Sequence, residues 1–152
     1  EEQIRKYQDK IRKNWSPEEA GYFMSQIILR DIKKFLDGDL KIKFDVWRSE
    51  DKLLSRYSQE KIIKELKRKK LVYQKEDALW LKTSQFGDSQ DWVLVRKNGF
   101  PTYLFSDLIY HYDKIKRGYQ VIIDIWGADH QARVQKMEAV MKILGYKGEF
   151  RV

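Results

Sequence analysis

The chain has 152 residues, 42% of them hydrophobic, which predicts one ordinary folded domain with a real core. Five Trp, nine Tyr and seven Phe argue against disorder, and the lack of cysteine excludes disulfides and thiolate zinc sites. No apolar run approaches the roughly 18 residues of a membrane span, and no signal-peptide pattern opens the sequence. We therefore expect a cytoplasmic protein with no membrane contact.

The net charge is +8, from 31 Lys and Arg against 23 Asp and Glu. An excess of this size either attracts nucleic acid or keeps a protein in solution. The cations cluster on the polar face of one predicted helix and near the end of another, where cations also suit the helix dipole. These residues are Lys61, Lys64, Lys67, Arg68, Lys69, Lys70, Lys114, Lys116 and Arg117. Charge raises an RNA-binding hypothesis without deciding it.

The first part of the chain is predicted to be helical. Residues 1–14 have a thin apolar stripe at helical spacing. Ser16, Pro17 and Glu19 then form a helix start signal, with Ser as N-cap and Glu three residues later. The helix should run to about Asp37, where a glycine follows. On its buried face we expect Phe23, Ile27, Ile28, Ile32 and Phe35.

Residues 40–100 mix strands and short helices. Residues 40–47 alternate apolar and charged side chains, which predicts a strand with one wet face. Ser49 should begin a short helix, and Ser58 should cap the next one. Beyond it we predict two strands joined by a turn at Glu76-Asp77, and a third strand within residues 91–97. This β-meander is typical of an insertion in a larger α/β domain.

Most of the candidate chemistry lies between Thr102 and Met137. Tyr103, Asp107 and His111 recur every fourth residue and therefore share one face of a predicted helix. The run VIIDIWG that follows predicts a buried parallel strand whose carboxyl end opens onto a site.

The turn after this strand should place polar residues at the start of another helix, from about residue 130 to 144. Asp129 and His130 come at that start, where backbone N–H groups point outward. A right-handed crossover through the helix predicts a second parallel strand in residues 148–152.

Four blocks of sequence carry a family resemblance. They resemble the bacterial arginyl-tRNA synthetases, which are class I aminoacyl-tRNA synthetases, in the same order and spacing between Lys41 and Tyr146. The blocks are FDVW (44–47), ALWLKTSQFGD (78–88), DWVLVRKNGFPTYLFSD (91–107) and IIDIWGADH (122–130).

The resemblance implies an α/β fold, part of a Rossmann-like class I synthetase nucleotide-binding fold with a β-meander and helical insertion. Residues 1–152 would form a partial catalytic domain. Within it, residues 1–39 would be a helical lead-in, 40–100 the insertion-like α+β part, and 101–152 the helix–strand–helix of the nucleotide fold.

The resemblance also implies binding residues. Tyr103 and Asp107 match a Tyr-x-x-x-Asp pair that contacts the substrate arginine, and a carboxylate suits a guanidinium. Gly127 and Asp129 match a Gly-x-Asp element beside the ATP ribose and adenine, and His130 lies where relatives place a polar residue near the amino acid. The alternatives are that Tyr103 is a half-buried packing residue, Asp107 a solvated acid, and Asp129 an N-cap.

Other features of the resemblance limit what is expected. Gln131 and Ala132 stand where the bacterial pattern often has a second His and a Gly. Asp88 and Asp91 fall in a signature loop, where we expect them only to order a turn. His111 is expected to be a packed or surface histidine, and two histidines without converging acids predict no metal site.

The implied activity is ATP-dependent activation of L-arginine and its transfer to tRNA(Arg), with Mg²⁺ accompanying ATP. No catalytic side chain is predicted, because the reaction needs no protein nucleophile. The His-x-Gly-His element and the Lys-rich loop of class I synthetases do not occur in this sequence. We therefore expect the chain to need the rest of a parent synthetase and to be inactive alone. The alternative is a non-catalytic, basic RNA-binding α/β module.

Overall fold

The computed structural model describes residues 15–57 and 59–152. The helix predicted within residues 1–14 and the capping role predicted for Ser58 lie outside the described residues. The chain divides into two compact units, with the division between Trp47 and Arg48. Each unit is described below by itself.

The first unit is built on one long helix, α1 (Pro17–Gly38). Its predicted start is confirmed as a reciprocal capping box. The Ser16 hydroxyl accepts a hydrogen bond from the Glu19 N–H at 3.2 Å, and the Glu19 carboxylate accepts one from the Ser16 N–H at 2.8 Å. Two of the backbone donors that a helix start leaves unpaired are thereby satisfied.

Two predictions for the first unit are wrong. Of the five apolar side chains expected to be buried along α1, Ile27 is buried, whereas Ile28, Ile32 and Phe35 are exposed. Residues 40–47 form no strand. Alternation alone does not make a strand, because a strand needs a ladder partner, and none of the described residues pairs with this segment.

The second unit opens with two helices, α2 (Glu50–Arg56) and α3 (Gln59–Arg68). The predicted helix start at Ser49 is confirmed by its extended backbone directly before α2. Helix α3 buries Ile62 and Leu66 on one face and keeps its lysines on the other. This arrangement is the expected amphipathic pattern of a surface helix.

The predicted meander is confirmed as a three-stranded antiparallel sheet of β1 (Val72–Lys75), β2 (Ala78–Leu81) and β3 (Trp92–Val95). Glu76 and Asp77 both have positive φ, 54° and 58°, as a two-residue hairpin turn requires. The register slips by a bulge between Leu79 and Trp80.

The last third contains α4 (Tyr103–Lys116), β4 (Val121–Ile123), α5 (Val134–Ile143) and β5 (Glu149–Arg151). Strands β4 and β5 pair in parallel, with Ile122 opposite Phe150, so the predicted crossover pair is confirmed. The β4 strand is shorter than its apolar run. Residues Ala128–Arg133 form a 3₁₀ helix where the sequence predicted the first turn of an α-helix.

The core of the second unit lies under α4. One face of this helix is buried and consists of Leu104, Phe105, Leu108 and Ile109. These side chains pack with residues of the sheet, such as Leu94, and with residues of α5. Burying a side chain of this size contributes roughly 1.5–3 kcal/mol. The unit is therefore a mixed α/β structure in which one face of α4 is fixed and another is available for a site.

Candidate functional site

A cavity of about 590 Å³ lies within the second unit, between the meander and the amino-terminal half of α4. Its wall combines residues from the sheet, from α4, from the turn after β4 and from the start of α5. The main lining side chains are Trp80, Trp92, Arg96, Tyr103, Asp107, Trp126, His130, Arg133, Lys136 and Met137.

Thr102 fixes the point at which α4 begins. Its hydroxyl donates to the carbonyl oxygen of Val93 at 2.9 Å, and its N–H donates to that of Leu94 at 3.0 Å. Because both acceptors lie on β3, the first turn of α4 starts against the sheet. This start places Tyr103 at the cavity rim and Asp107 one turn further along the wall.

The structure bears on the local alternatives for Tyr103 and Asp107 in different ways. Tyr103 is 81% exposed, so it is not a half-buried packing residue. Asp107 is half-buried rather than fully solvated. No hydrogen bond or ion pair joins its carboxylate to a side chain described in residues 15–55, 57 or 59–152.

Burial raises the pKa of the Asp107 carboxyl above its ordinary value. The charges of His111 and Arg133 oppose this rise in pKa, and those of Asp124 and Glu50 add to it. A desolvated carboxylate without a close partner favours any cation that enters the cavity, because the cation restores the lost solvation. Asp107 can therefore act as an acceptor for a positively charged ligand.

The turn that leads into the 3₁₀ helix is set by Gly127. A Cβ at this position would lie 2.5 Å from the Asp129 Oδ1, so any side chain would displace that carboxylate. The Asp129 side chain is 78% exposed and lies 3.5 Å from the Nε2 of His130. Asp129 is not an N-cap, since Gly127 holds that position and no side chain caps the turn.

The predicted binding residues fall into two groups. Tyr103, Asp107 and His130 line the same cavity, although they come from two separate elements. Gly127 and Asp129 precede His130 in the chain but are not part of the cavity wall. The structure thus brings the predicted arginine residues together and leaves the predicted nucleotide residues beside them at the surface.

Sequence reasoning missed two cations of the cavity wall. The Nζ of Lys136 lies 3.3 Å above the centre of the Trp92 ring, and burial lowers the pKa of this lysine. Neither Lys136 nor Arg133 forms an ion pair with any side chain in the described part of the chain. Their i, i+3 spacing at a helix start was the sequence pattern that could have indicated two cations on one side of that helix.

Sequence reasoning also missed a buried charge network. Asp124 ends the β4 segment, and its carboxylate accepts hydrogen bonds from the Nε2 of His111 at 2.8 Å and from the Nζ of Lys114 at 2.6 Å. His111 is packed, as one of its two expected roles required. An acid within the apolar run VIIDIWG was the signal for a buried partner.

Another buried carboxylate, that of Asp113, lies near the end of α4. Asp113 is fully buried and accepts a hydrogen bond from the Tyr57 hydroxyl at 3.0 Å. The guanidinium Nε atoms of Arg48 and Arg117 lie 3.3 and 3.0 Å from its Oδ2. None of these four residues lines the large cavity, although Arg48 lines a smaller pocket together with Tyr103 and Asp107.

The signature loop after β2 is ordered by its own acids. The Asp91 carboxylate accepts hydrogen bonds from the N–H and the hydroxyl of Ser84, at 3.0 and 2.6 Å. The Asp88 carboxylate accepts from the Ser89 N–H and from the Trp92 indole, at 2.7 and 2.8 Å. The turn-ordering role expected for both acids agrees with these contacts.

In residues 15–57 and 59–152, no three His, Asp or Glu side chains converge in a way that could hold a metal ion. No helix in that same part of the chain is long and apolar enough to cross a membrane.

Several known proteins that are similar to this chain are arginine–tRNA ligases. An arginine–tRNA ligase of Thermotoga maritima is 40% identical over 144 residues, which is 93% of this chain and 26% of the relative. One of Carboxydothermus hydrogenoformans is 45% identical over 121 residues, 80% of this chain and 22% of the relative. The chain is homologous to part of the arginine–tRNA ligases. It spans about a quarter of the length of these curated relatives.

The fold supports the same relationship. An arginyl-tRNA synthetase structure from Campylobacter jejuni superposes with a TM-score of 0.83 at 34% identity, covering 98% of this chain and 34% of that chain. No protein-family model matches the sequence. The alternative of an RNA-binding module that never activates an amino acid is not favoured, because the similar proteins are arginine–tRNA ligases.

Proposed function

We propose that the chain forms part of the catalytic domain of an arginine–tRNA ligase, which uses ATP to activate L-arginine and transfers it to tRNA(Arg). The observation that carries this proposal is the half-buried Asp107 carboxylate, which faces a cavity without a close cationic partner. A carboxylate in this position can accept a cationic ligand, and the guanidinium of arginine is a permanent cation.

Asp107 would accept the paired N–H donors of the guanidinium in a bidentate arrangement. Tyr103 stands at the same rim with an exposed ring, which can lie against the planar cation or bond it through the hydroxyl. His130 faces the cavity from the opposite element and would contact the amino-acid end. A lysine substrate offers only a point charge, so this geometry favours arginine over lysine.

Gly127 and Asp129 would contact ATP. The exposed Asp129 carboxylate can accept hydrogen bonds from ribose hydroxyls. Because Gly127 has no side chain, it does not collide with that carboxylate. The β4–α5–β5 crossover supports assigning residues 101–152 to a Rossmann-like nucleotide fold. On this proposal residues 40–100 are its insertion and residues 1–39 a helical lead-in.

The chemistry needs positioning rather than a protein nucleophile. The arginine carboxylate attacks the α-phosphorus of ATP, the bond to the β-phosphate breaks, and pyrophosphate leaves. A hydroxyl of the 3′-terminal ribose of tRNA(Arg) then attacks the activated carbonyl and releases AMP. Mg²⁺ would arrive with the ATP phosphates as part of that substrate. The chain's own residues hold the guanidinium and the ribose in place.

Calorimetry tests the proposal directly. Titration of the 152-residue chain with L-arginine should show saturable binding, and L-lysine should show none. The Asp107→Asn variant should lose the arginine signal, whereas Asp113→Asn, a buried acid on the same helix that does not line the cavity, should keep it. Equal binding of arginine and lysine would contradict the proposal.

Catalysis requires a separate experiment. The sequence contains neither a His-x-Gly-His element nor the Lys-rich loop. We therefore propose that the isolated chain does not catalyse arginine-dependent exchange between ATP and pyrophosphate, whereas the ligase that carries it does. Exchange by the isolated chain would show that these residues suffice for activation.

A further inference from the structure

We propose that Asp124 is a positioning residue for the arginine site, which it keeps in place through His111 and Lys114. This inference rests on the proposed function, because it assigns Asp124 to the same site. Asp124 does not line the cavity and touches no expected substrate group. Its effect passes through the turn of α4 that carries Asp107.

The contacts form a continuous path from β4 to Asp107. The Asp124 carboxylate binds the Nε2 of His111 at 2.8 Å, and the Nδ1 of His111 lies 2.8 Å from the backbone carbonyl oxygen of Asp107. Lys114 binds the other Asp124 oxygen at 2.6 Å. His111 and Asp124 are 3% and 8% exposed, so water does not substitute for these bonds.

The hydrogen bonds of His111 determine which of its ring nitrogens carry protons. A carbonyl oxygen accepts and never donates, so the Nδ1 must carry a proton to bond Asp107. Burial raises the pKa of Asp124, but the hydrogen bonds from His111 and Lys114 outweigh burial and lower it below its ordinary value. The ionised carboxylate also only accepts, so the Nε2 carries a proton as well. A ring that makes both of these bonds therefore donates from both nitrogens.

Two consequences reach Asp107. The His111 ring bonds the backbone carbonyl of Asp107 itself, so rotation of this turn of α4 would disturb a part-buried contact. The His111 charge also lowers the pKa of the Asp107 carboxyl and opposes the effect of burial. The network thus supports both the place and the ionisation of the proposed guanidinium acceptor.

Strand β4 needs such a network because it is short. It has only three residues, and the side chains of Val121 and Ile123 are exposed. Asp124 adds a backbone bond from its N–H to the carbonyl oxygen of Arg151 at 2.9 Å, which extends the link to β5. A single residue therefore ties α4, β4 and β5 together directly beneath the cavity wall.

A purely structural salt bridge is the competing explanation, and Asp113 supplies its matched control. Asp113 is also a buried carboxylate with cationic and hydroxyl partners, it lies on α4 itself, and it has no place in the cavity wall. Replacing either acid by Asn keeps the shape and removes the charge. If only stability matters, the two variants should have the same effect on arginine binding.

The kinetic test uses exchange between ATP and pyrophosphate in the ligase that carries this chain. Asp124→Asn should raise the KM for arginine on the order of tenfold, with a smaller fall in kcat, because the acceptor is misplaced rather than removed. Asp113→Asn should lower the melting temperature and leave this KM at the wild-type value. Lys114→Met should raise the KM, and the conservative Lys114→Arg should restore it.

A spectroscopic test covers the case in which Asp124→Asn folds poorly. The chain contains two histidines, so ¹⁵N-histidine labelling with a His130→Gln variant identifies the His111 ring. Both ring nitrogens of His111 should carry protons in the wild-type chain, and Lys114→Arg should leave this pattern unchanged. A single protonated ring nitrogen in the wild-type chain would overturn the inference.

The outcomes separate the two proposals. A wild-type ligase without arginine-dependent exchange overturns the proposed function. A wild-type ligase with normal exchange, together with an unchanged arginine KM in a folded Asp124→Asn variant, overturns the positioning role alone. An equal rise of KM in Asp124→Asn and Asp113→Asn also overturns it, since the effect would then be general destabilisation.

Discussion

The wall formed by α4 and the turn formed by residues 127–130 each carry a carboxylate, and the two carboxylates differ in burial. Asp107 on α4 is half-buried, and burial raises its pKa, whereas the Asp129 side chain is 78% exposed and lies at the surface beside the cavity. The first carboxylate is partly removed from water, and the second is left in water. The two predicted half-sites therefore place their acids in different surroundings.

The largest expected effect breaks the α4 side of this comparison. In the proposed parent ligase, Asp107→Asn should lower kcat/KM for arginine by about two orders of magnitude, because a charged hydrogen-bonded pair is lost. The KM for ATP should change little. Steady-state exchange kinetics with each substrate varied in turn measure both. An unchanged kcat/KM for arginine would remove Asp107 from the arginine site.

The corresponding change on the turn should act on the other substrate. Asp129→Asn should raise the KM for ATP by roughly tenfold, the loss expected for one hydrogen bond to a charged group in an exposed place. Arginine affinity, measured by calorimetry on the same variant, should stay at the wild-type value. If arginine binding fell instead, the two acids would not belong to separate half-sites.

A smaller effect separates the ring of Tyr103 from its hydroxyl. Tyr103→Phe should weaken arginine binding only about two- to fivefold, because a neutral hydrogen bond in an exposed position contributes little. Tyr103→Ala should weaken it further, since the ring face against the guanidinium is lost as well. Equal losses in the two variants would assign the whole effect to the hydroxyl.

The smallest effect concerns stability, and it has opposite signs for two acids. The pKa of Asp107 is raised in the fold, so its ionised form costs stability at neutral pH, and that cost disappears as pH falls through the raised value. The pKa of Asp124 is lowered, so it contributes stability at neutral pH that is lost as pH falls through the lowered value.

At pH 7, therefore, Asp107→Asn should raise the melting temperature of the chain by about 1–3 °C, and Asp124→Asn should lower it by at least as much. Thermal unfolding followed by circular dichroism, repeated near pH 4, measures both shifts. The difference between the Asp107→Asn variant and the wild type should shrink at the lower pH. A destabilised Asp107→Asn variant at pH 7 would mean that this carboxylate is satisfied within the protein.

Local structure was predictable from sequence where a few neighbouring residues decide it. The Ser16–Glu19 capping box, the Glu76-Asp77 hairpin turn and the parallel pair of β4 and β5 follow from short patterns, and the structure confirms them. The strand predicted for residues 40–47 was wrong because a ladder depends on a partner that alternation cannot supply. The 3₁₀ helix after Gly127 was missed for a related reason, since helix type at an end depends on packing.

The candidate site was predictable only in part. The four-residue spacing of Tyr103 and Asp107 placed them on one face, and the resemblance added His130 across the cavity. The contact of Lys136 with Trp92 and the bond of His111 with Asp124 were not visible, because each joins elements that only the fold brings together. Spacing along one helix carries no information about which strand will face it.

The two bonds of Thr102 to β3 have a mechanical consequence. They join the last strand of the meander to the first turn of α4. A displacement of that strand should therefore also move Tyr103. The position of the sheet should therefore affect the position of the cavity rim. A ligand that immobilises the rim should slow hydrogen exchange at the Thr102 amide, whose acceptor lies on β3.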